Sequence, residues 1–113
     1  MKITQFNYSF FILLFFNFFI VSKTEAINLE KGEKIFITNC SVCHFNGNNI
    51  ILPEKNLKKE ALQNNGMYNL NAIIYQITNG KNGMPAFGGR LTEEEIENLS
   101  NYVLTKAKTN FKN

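Results

Sequence analysis

The pentapeptide Cys40-Ser41-Val42-Cys43-His44 constrains this 113-residue chain more than any other feature, because it holds both cysteines and the only histidine of the sequence. Two thiols three positions apart are too close to join distant parts of the chain through a disulfide. The same spacing can instead attach one flat ligand at two points, with the neighbouring imidazole beneath it. The rest of the fold must then be built around the group that this segment holds.

The pentapeptide matches the Cys-x-x-Cys-His pattern by which haem is attached covalently to proteins. Cys40 and Cys43 would form thioethers with the two vinyl groups of the porphyrin, and His44 would be the proximal ligand of the iron. We therefore predict one covalently bound haem c, with its iron, on this segment.

Three other interpretations compete with haem attachment: a thioredoxin-like redox pair, half of a zinc site, and a chance occurrence. A redox Cys-x-x-Cys pair belongs to a βαβ unit, and no strand pattern surrounds this one. A structural zinc site needs four ligands, and the sequence has no further Cys or His to complete one. The haem interpretation is therefore favoured over all three.

The second axial ligand of the iron cannot be a histidine of this chain, because His44 is the only one. Methionine, lysine, an exogenous ligand or no ligand remain for the sixth position. Two methionines, Met67 and Met84, follow the N-terminal region. We favour Met84 as the distal ligand, because Gly83 permits unusual backbone angles and Pro85 restricts the loop that carries the thioether. Met67 is expected to fill a gap in the core.

Ligation by His44 and Met84 would leave the iron without an open position for oxygen, peroxide or a substrate. The soft sulfur of methionine also stabilises ferrous iron and raises the reduction potential relative to histidine ligation. Both properties favour electron transfer over catalysis, so we predict a carrier of single electrons and not an enzyme. A haem enzyme or a ligand sensor would require Met84 to be absent or readily displaced.

Residues 1–26 are predicted to be a secretory signal peptide that is cleaved. Lys2 precedes the apolar run of residues 10–21, and the segment ends at the small residue Ala26, as a signal peptidase requires. The alternative is a transmembrane anchor, but such a run spans only about 18 Å of a hydrocarbon core about 30 Å thick. The remaining residues 27–113 then form a single domain with no permanent membrane anchor.

The domain of residues 27–113 has nearly balanced charge. The whole chain has 12 Lys or Arg and 9 Asp or Glu, and ten and eight of them remain once Lys2, Lys23 and Glu25 are removed. The two signs are mixed in short clusters, which is typical of a solvated surface, and no basic stripe predicts binding to nucleic acid. Because a core of roughly ninety residues is marginal, a covalent cofactor would also supply part of its stability.

Helical spacing of apolar residues predicts four helices and no sheet. The predicted helices are residues 29–40, 57–65, 70–80 and 92–108, and the predicted loops are residues 45–55 and 81–91. Either Asn69 or Asn71 caps the third helix. Thr92 and Glu95 form a capping box at the start of the fourth, which is the clearest helix in the sequence.

Gly32 lies inside the first predicted helix, where glycine costs up to about 1 kcal/mol relative to alanine. We expect it either to allow the close approach of another helix or to be tolerated near an exposed helix end. The last helix presents Ile96, Leu99 and Val103 on one face, which is predicted to face the core.

The sequence resembles the cytochrome c6 family over essentially the whole of residues 27–113, in the segments LEKGEKIFITNCSVCH, GNNIILPEKNL and AIIYQITNGKNGMPAFGGRL. The specific part is YQITNGK followed by MPAFGGRL, since many class I cytochromes share Cys-x-x-Cys-His and a late methionine. The resemblance implies an all-α, class I cytochrome c fold with about four helices around one covalently bound haem. It also implies that the first and last helices cross near Gly32, Phe36 and Tyr102.

The resemblance also implies roles for single residues. Cys40 and Cys43 would attach the haem, and His44 and Met84 would be its proximal and distal ligands. In the family, an arginine that corresponds to Arg90 lies near the exposed haem edge and is linked with docking on photosystem I. The alternative for Arg90 is an ordinary solvated charge.

Members of the family are soluble carriers that take an electron from cytochrome f of the cytochrome b6-f complex and deliver it to photosystem I. The resemblance therefore implies a location in the thylakoid lumen of an algal chloroplast, or in the thylakoid lumen or periplasm of a cyanobacterium. A monomer or weak oligomer is expected. The alternative is a periplasmic cytochrome that donates electrons to a respiratory oxidase.

Gly83 departs from the family pattern, in which alanine often precedes the ligand methionine, and we expect a looser loop that keeps the ligand.

Overall fold

The computed structural model describes residues 26–113, and within this range the regular structure is helical, with no β-strand. In chain order the elements are α1 (Leu29–Asn39), α2 (Ser41–His44), α3 (Lys59–Asn64), α4 (Leu70–Asn79) and α5 (Glu93–Lys108), with 3-10 turns at Phe45–Gly47 and Pro53–Lys55. The predicted all-α class is confirmed. Apart from Ala26, the predicted signal peptide of residues 1–26 lies outside the described residues. None of the helices in residues 26–113 is long and apolar enough to cross a membrane.

Local sequence signals place two helix starts where they were predicted. The Thr92 hydroxyl accepts from the backbone N–H of Glu95 at 3.1 Å, and the Glu95 carboxylate accepts from the N–H of Thr92 at 2.9 Å, so the capping box is confirmed. The side chain of Asn69 accepts from the N–H of Ala72 at 2.8 Å. Asn69 rather than Asn71 is therefore the N-cap of α4, and a cap of this kind contributes about 1 kcal/mol.

Two predicted boundaries were wrong by one or two residues. The first predicted helix is interrupted at Cys40, whose backbone (φ −116°, ψ −30°) separates α1 from the short helix α2. The second begins at Lys59 instead of residue 57, because Lys58 is extended (φ −73°, ψ 155°). The Asn56 side chain accepts from the Lys58 N–H at 3.0 Å. Such a local turn competes with the helix for the same backbone donor.

Helix α1 crosses α5 with backbone close to backbone. Gly32 is buried, and a Cβ built there would collide with the carbonyl group of Asn98 and lie 2.9 Å from the Cβ of Tyr102. The ring centroids of Phe36 and Tyr102 are 5.4 Å apart, a separation at which aromatic pairs attract. The crossing implied by the family resemblance is confirmed, and of the two roles expected for Gly32, close approach of a second helix is the one observed.

The apolar core is one cluster, to which α4 and α5 contribute most of the side chains: Phe36, Ile73, Ile77, Phe87, Ile96, Leu99 and Val103. The predicted inward face of the last helix is confirmed, because Ile96, Leu99 and Val103 are all buried. Burial of each such side chain stabilises the fold by about 1.5–3 kcal/mol. The side of this core away from the α1–α5 crossing is faced by the loops that precede α3 and α5.

Candidate haem site

A cavity of about 260 Å³ opens beside the core, and Cys40, Cys43, His44 and Met84 all line it. These are the four residues predicted from the sequence as attachment points and axial ligands. Most of the remaining wall is apolar and comes from the helices and the adjacent loops, including Phe36, Leu57, Leu62, Ile73, Ile77 and Phe87. The fold therefore brings the two sequence segments that carry sulfur and imidazole groups to one apolar surface.

The two cysteines and His44 occupy a single helical turn. The backbone N–H groups of Cys43 and His44 both donate to the carbonyl of Cys40, at 3.2 and 2.9 Å. Burial, followed by the nearby charge of Cys43, raises the pKa of the Cys40 thiol to about 11. Reactive redox pairs instead have a thiol of lowered pKa, so this environment disfavours a thioredoxin-like role. Within residues 26–113, no three His, Cys, Asp or Glu side chains are grouped as a metal site.

The imidazole of His44 is oriented by a backbone carbonyl. Its Nδ1 lies 2.8 Å from the carbonyl oxygen of Asn48. Because a carbonyl can only accept, Nδ1 carries the proton and donates, which leaves Nε2 with a free lone pair in the neutral ring. Histidine ligands of metals are commonly oriented through the other ring nitrogen in this way. Helical spacing and motif patterns did not predict the role of Asn48, although the adjacent Asn46-Gly47 pair signals a tight turn there.

Met84 is held by a tight turn of four residues. The N–H of Lys81 donates to the carbonyl of Met84, and the N–H of Met84 donates back to Lys81, both at 3.0 Å. Asn82 (φ +46°) and Gly83 (φ +85°) both have left-handed backbone angles, as a type I′ turn requires. Asn-Gly is the preferred pair for this turn. The backbone at Met84 is therefore fixed by both of its hydrogen-bonding groups, and Gly83 occupies a position that favours glycine.

Two further residues of the cavity wall bear on the predicted axial ligand, Met84. The side-chain amide of Gln76 on α4 lies 3.7 Å from the sulfur of Met84, within range of an N–H···S hydrogen bond. Gln76 was not selected from the sequence; the available signal is a polar residue beside Ile77 on a largely apolar helix. Met67 is half-buried and lines the same cavity as Met84, so it faces the candidate site.

Arg90 lies outside the cavity but against its wall. The guanidinium carbon is 4.8 Å from the ring centroid of Phe87, and Phe87 both lines the cavity and is only 5% exposed. This arrangement is a cation–π contact at an exposed site, worth about 0.5–1 kcal/mol. Arg90 therefore places a positive charge on the protein surface directly behind a cavity residue.

The donor set of this cavity fits a covalently attached haem. Two thiols and an imidazole share one turn, and a thioether comes from a separate loop of the same wall. Histidine and methionine are established axial ligands of electron-carrier haems, and the apolar wall around them limits access of water.

Known proteins similar to this chain identify its family. Cytochrome c6 of Alaria esculenta is 59% identical over 81 residues, which cover 72% of this chain and 94% of the relative. The chain belongs to the cytochrome c6 family. Cytochrome c6 of Porphyra purpurea is 51% identical over 96 residues, which cover 82% of this chain and 87% of the relative.

A solved structure and a family model agree with this assignment. The structure of cytochrome c6 from the diatom Phaeodactylum tricornutum is 50% identical, with a TM-score of 0.71, and the match covers 74% of this chain and 98% of that chain. A family model described as cytochrome c oxidase, cbb3-type, subunit III matches residues 27–103. The predicted class I cytochrome c fold is therefore confirmed.

Membership of the cytochrome c6 family establishes the cofactor and the class of function. The protein is a c-type cytochrome with one covalently bound haem c and its iron. It is an electron carrier and not an enzyme, as its relatives are. Those relatives come from algae and cyanobacteria.

Proposed function

We propose that this cytochrome takes single electrons from cytochrome f of the cytochrome b6-f complex and delivers them to photosystem I in the thylakoid lumen of an alga or cyanobacterium. The observation that carries the proposal is the similarity to cytochromes c6 over nearly the full length of those relatives. The cavity supports it, because two thiols, an imidazole and a thioether meet on one apolar wall.

Four residues hold the cofactor in this proposal. Cys40 and Cys43 attach the haem covalently, and His44 and Met84 are its axial ligands. The bond from Nδ1 of His44 to Asn48 supports the first ligand, because it leaves Nε2 free to bind a metal. The turn that ends at Met84 supports the second, because its backbone is fixed. When bound, the haem would supply a one-electron iron couple, and these four residues would hold it and coordinate its iron.

We propose that Arg90 takes part in docking on photosystem I. Its guanidinium rests on Phe87 at the outer side of the cavity wall. Val42 and Phe45, next to the attachment cysteines, are 78% and 64% exposed and offer a small apolar surface. A carrier needs weak, rapidly dissociating contacts, for which small apolar and charged surfaces are suited. Charge of this kind changes the association rate more than the affinity.

We propose further that residues 1–26 are removed and that residues 27–113 act as a monomer or weak oligomer. The backbone N–H of Asn28 donates to the buried side chain of Asn98 at 2.8 Å. Asn28, two residues after the expected cleavage point, is thus bound to the folded domain, which is consistent with a mature chain that starts at Ile27.

A second candidate function has one observation in its favour. The family model that matches residues 27–103 is described as cytochrome c oxidase, cbb3-type, subunit III. A periplasmic cytochrome that donates electrons to a respiratory oxidase would use the same haem and the same ligands. The two functions differ only in their partner proteins.

The ligand assignment is tested by visible spectroscopy and potentiometry on holoprotein made with haem-attachment machinery. Wild type is expected to give a narrow reduced α band, a weak far-red band of sulfur ligation in the oxidised state, and a clearly positive potential. Met84→Leu should lose the far-red band, lower the potential and admit carbon monoxide to the reduced iron, whereas the control Met67→Leu should do none of these. The reverse pattern would assign the sulfur ligand to Met67.

The partner assignment is tested by measuring oxidation of the reduced protein. Laser-flash oxidation by photosystem I should be fast and should slow in Arg90→Gln more than in the control Lys108→Gln, which changes a charge at the far end of α5. The loss should shrink as salt is raised, because the interaction is electrostatic. Rapid oxidation by a cbb3-type oxidase, with none by photosystem I, would establish the second candidate instead.

A further inference from the structure

The C-terminal segment contains two consecutive residues in a strained conformation. Asn110 has φ +54° and Phe111 has φ +58°. Asparagine tolerates this left-handed region, but a bulky residue such as phenylalanine is a genuine outlier there. A residue held in this way costs about 1–3 kcal/mol and persists only where its surroundings compensate. The contacts of Phe111 should therefore show which interactions compensate for this conformational cost.

The end of α5 directs Phe111 back toward the protein. The N–H of Phe111 donates to the carbonyl of Lys106 at 2.8 Å, and the N–H of Asn110 donates to the carbonyl of Ala107 at 3.0 Å. These two bonds form a Schellman motif with Asn110 at its left-handed position. The side chain of Asn110 also accepts from the backbone N–H of Lys59 at 3.1 Å. The segment is thus tied to the start of α3 as well as to α5.

The ring of Phe111 packs against the 3-10 turn Phe45–Gly47. A Cβ built on Gly47 would lie 2.5 Å from Cδ2 and 2.7 Å from Cγ of Phe111, so the ring rests directly on the Gly47 backbone. On its other side the ring is 5.8 Å from the ring of Phe36, measured between centroids. The ring of Phe111 therefore contacts both the Phe45–Gly47 turn and helix α1.

This turn is the element that orients His44. Within this turn, the carbonyl of Gly47 accepts from the N–H of Leu57 at 2.7 Å, and the carbonyl of Phe45 accepts from the N–H of Asn48 at 3.0 Å. The next carbonyl, that of Asn48, accepts from Nδ1 of His44 at 2.8 Å. The residue whose backbone the Phe111 ring covers, Gly47, is therefore followed directly by the residue whose carbonyl holds the imidazole, Asn48.

We propose that Phe111 is a positioning residue for the proximal ligand, acting through the Phe45–Gly47 turn to hold the Asn48 carbonyl against Nδ1 of His44. The inference rests on the proposed role of His44 as an axial ligand. A firm bond to Nδ1 makes the imidazole a stronger donor to iron and favours the ferric state. Loosening the turn should therefore weaken that bond and raise the reduction potential.

The test follows the Nδ1 proton of the haem-bound histidine by paramagnetic NMR in the holoprotein, together with potentiometry. Phe111→Ala should speed exchange of this proton about tenfold, equivalent to ~1.4 kcal/mol of local opening free energy, and should raise the potential. Phe111→Leu, which keeps an apolar side chain, should give a smaller change in both. Phe111→Tyr, which keeps the ring, should restore both to the wild-type values.

Two further variants separate positioning from general destabilisation. Ile96→Ala opens the core at the other end of α5 and does not line the haem cavity, so it should lower the melting temperature without changing proton exchange or potential. Gly47→Ala should reproduce the effect of Phe111→Ala by displacing the ring, with an added cost in the turn because Gly47 has φ +77°. Gly47→Ala should lower the free energy of unfolding less in the Phe111→Ala background than in the wild type, because the ring that its Cβ would strike has been removed.

Two results would overturn the inference, and they are distinguishable. A Phe111→Ala protein that is less stable but keeps wild-type exchange and potential would refute the positioning role alone, with His44 still an axial ligand. A wild-type protein whose spectra show no histidine ligation would refute both this inference and the proposed function.

Discussion

Where α1 crosses α5, polypeptide packs directly on polypeptide, whereas the wall of the haem cavity is built largely from loops. At the crossing Gly32 meets the backbone of Asn98 with no room for a side chain. At the wall, Leu57, Met84 and Phe87 come from segments without regular helix. The crossing therefore consists of contacts within the polypeptide, whereas we expect the wall to depend on the cofactor that it would surround.

The two regions are nevertheless joined through shared side chains. Phe36, Leu99 and Val103 belong to the buried core and also line the cavity. Substitutions that touch side chains of only one region should still separate stability at the crossing from the chemistry of the cavity, whereas loss of the cofactor should disrupt the cavity wall more than the crossing.

The largest effect is expected when haem attachment is prevented. Cys40→Ala combined with Cys43→Ala should abolish the cooperative thermal transition, because a core of roughly ninety residues is marginal without its cofactor. Any remaining amide protection, measured by hydrogen exchange and mass spectrometry, should lie in α1 and α5. Equal protection in the loop of residues 81–91 would contradict the difference between the two regions. Ser41→Ala, which leaves both thiols in place, is the matched control.

A large side chain at the crossing should reduce stability and leave the cofactor unaffected. Gly32→Val is expected to lower the free energy of unfolding by about 3 kcal/mol, because the carbonyl of Asn98 is backbone and cannot move aside. Chemical denaturation measures this loss, and Glu33→Val at the exposed neighbouring position should show little of it. The reduction potential of Gly32→Val should match wild type. A shift in potential as large as the loss of stability would show that the two regions are not separable.

The complementary substitution lies on the cavity wall. Gln76→Leu should lower the reduction potential by roughly 20–65 mV, the equivalent of ~0.5–1.5 kcal/mol for one hydrogen bond. The reason is that the amide of Gln76 withdraws electron density from the sulfur of Met84 and so favours ferrous iron. Potentiometry should show no such change for Gln63→Leu on the exposed side of α3. An unchanged potential in Gln76→Leu would mean that the amide does not act on the ligand.

The smallest effect concerns a polar group in the helical region. Ser100 on α5 is fully buried, and its hydroxyl has no hydrogen-bond partner among the described residues. Ser100→Ala should raise the free energy of unfolding by about 1 kcal/mol, since it removes an unsatisfied group. In the wild type the Ser41 hydroxyl donates to the carbonyl of Ile37 at 2.6 Å. Ser41→Ala should therefore not raise the free energy of unfolding measured by denaturant titration. Destabilisation by Ser100→Ala would imply a partner for that hydroxyl.

Elements specified by neighbouring residues were predicted well. The capping box of Thr92 and Glu95 and the inward face of α5 depend only on positions within a turn or two, and both are as predicted. The start of α3 was misplaced because the Asn56 side chain binds the Lys58 N–H, and helical spacing does not report such a competing turn. The break at Cys40 was missed for a similar reason, since residues on both sides of it are compatible with a helix.

The sequence by itself determined that the cofactor is attached covalently, because Cys-x-x-Cys-His is a local motif. It also determined that two histidines of this chain cannot both bind the iron, because the sequence has a single histidine. Only the tertiary structure decided what surrounds the predicted ligands: the Asn48 carbonyl at His44, the Gln76 amide at Met84, and the ring of Phe111 on Gly47. These contacts depend on left-handed turns and on packing between distant segments. Asn-Gly pairs signal the turns themselves, but which carbonyl or amide is brought to each predicted ligand is set only when the chain closes around its core.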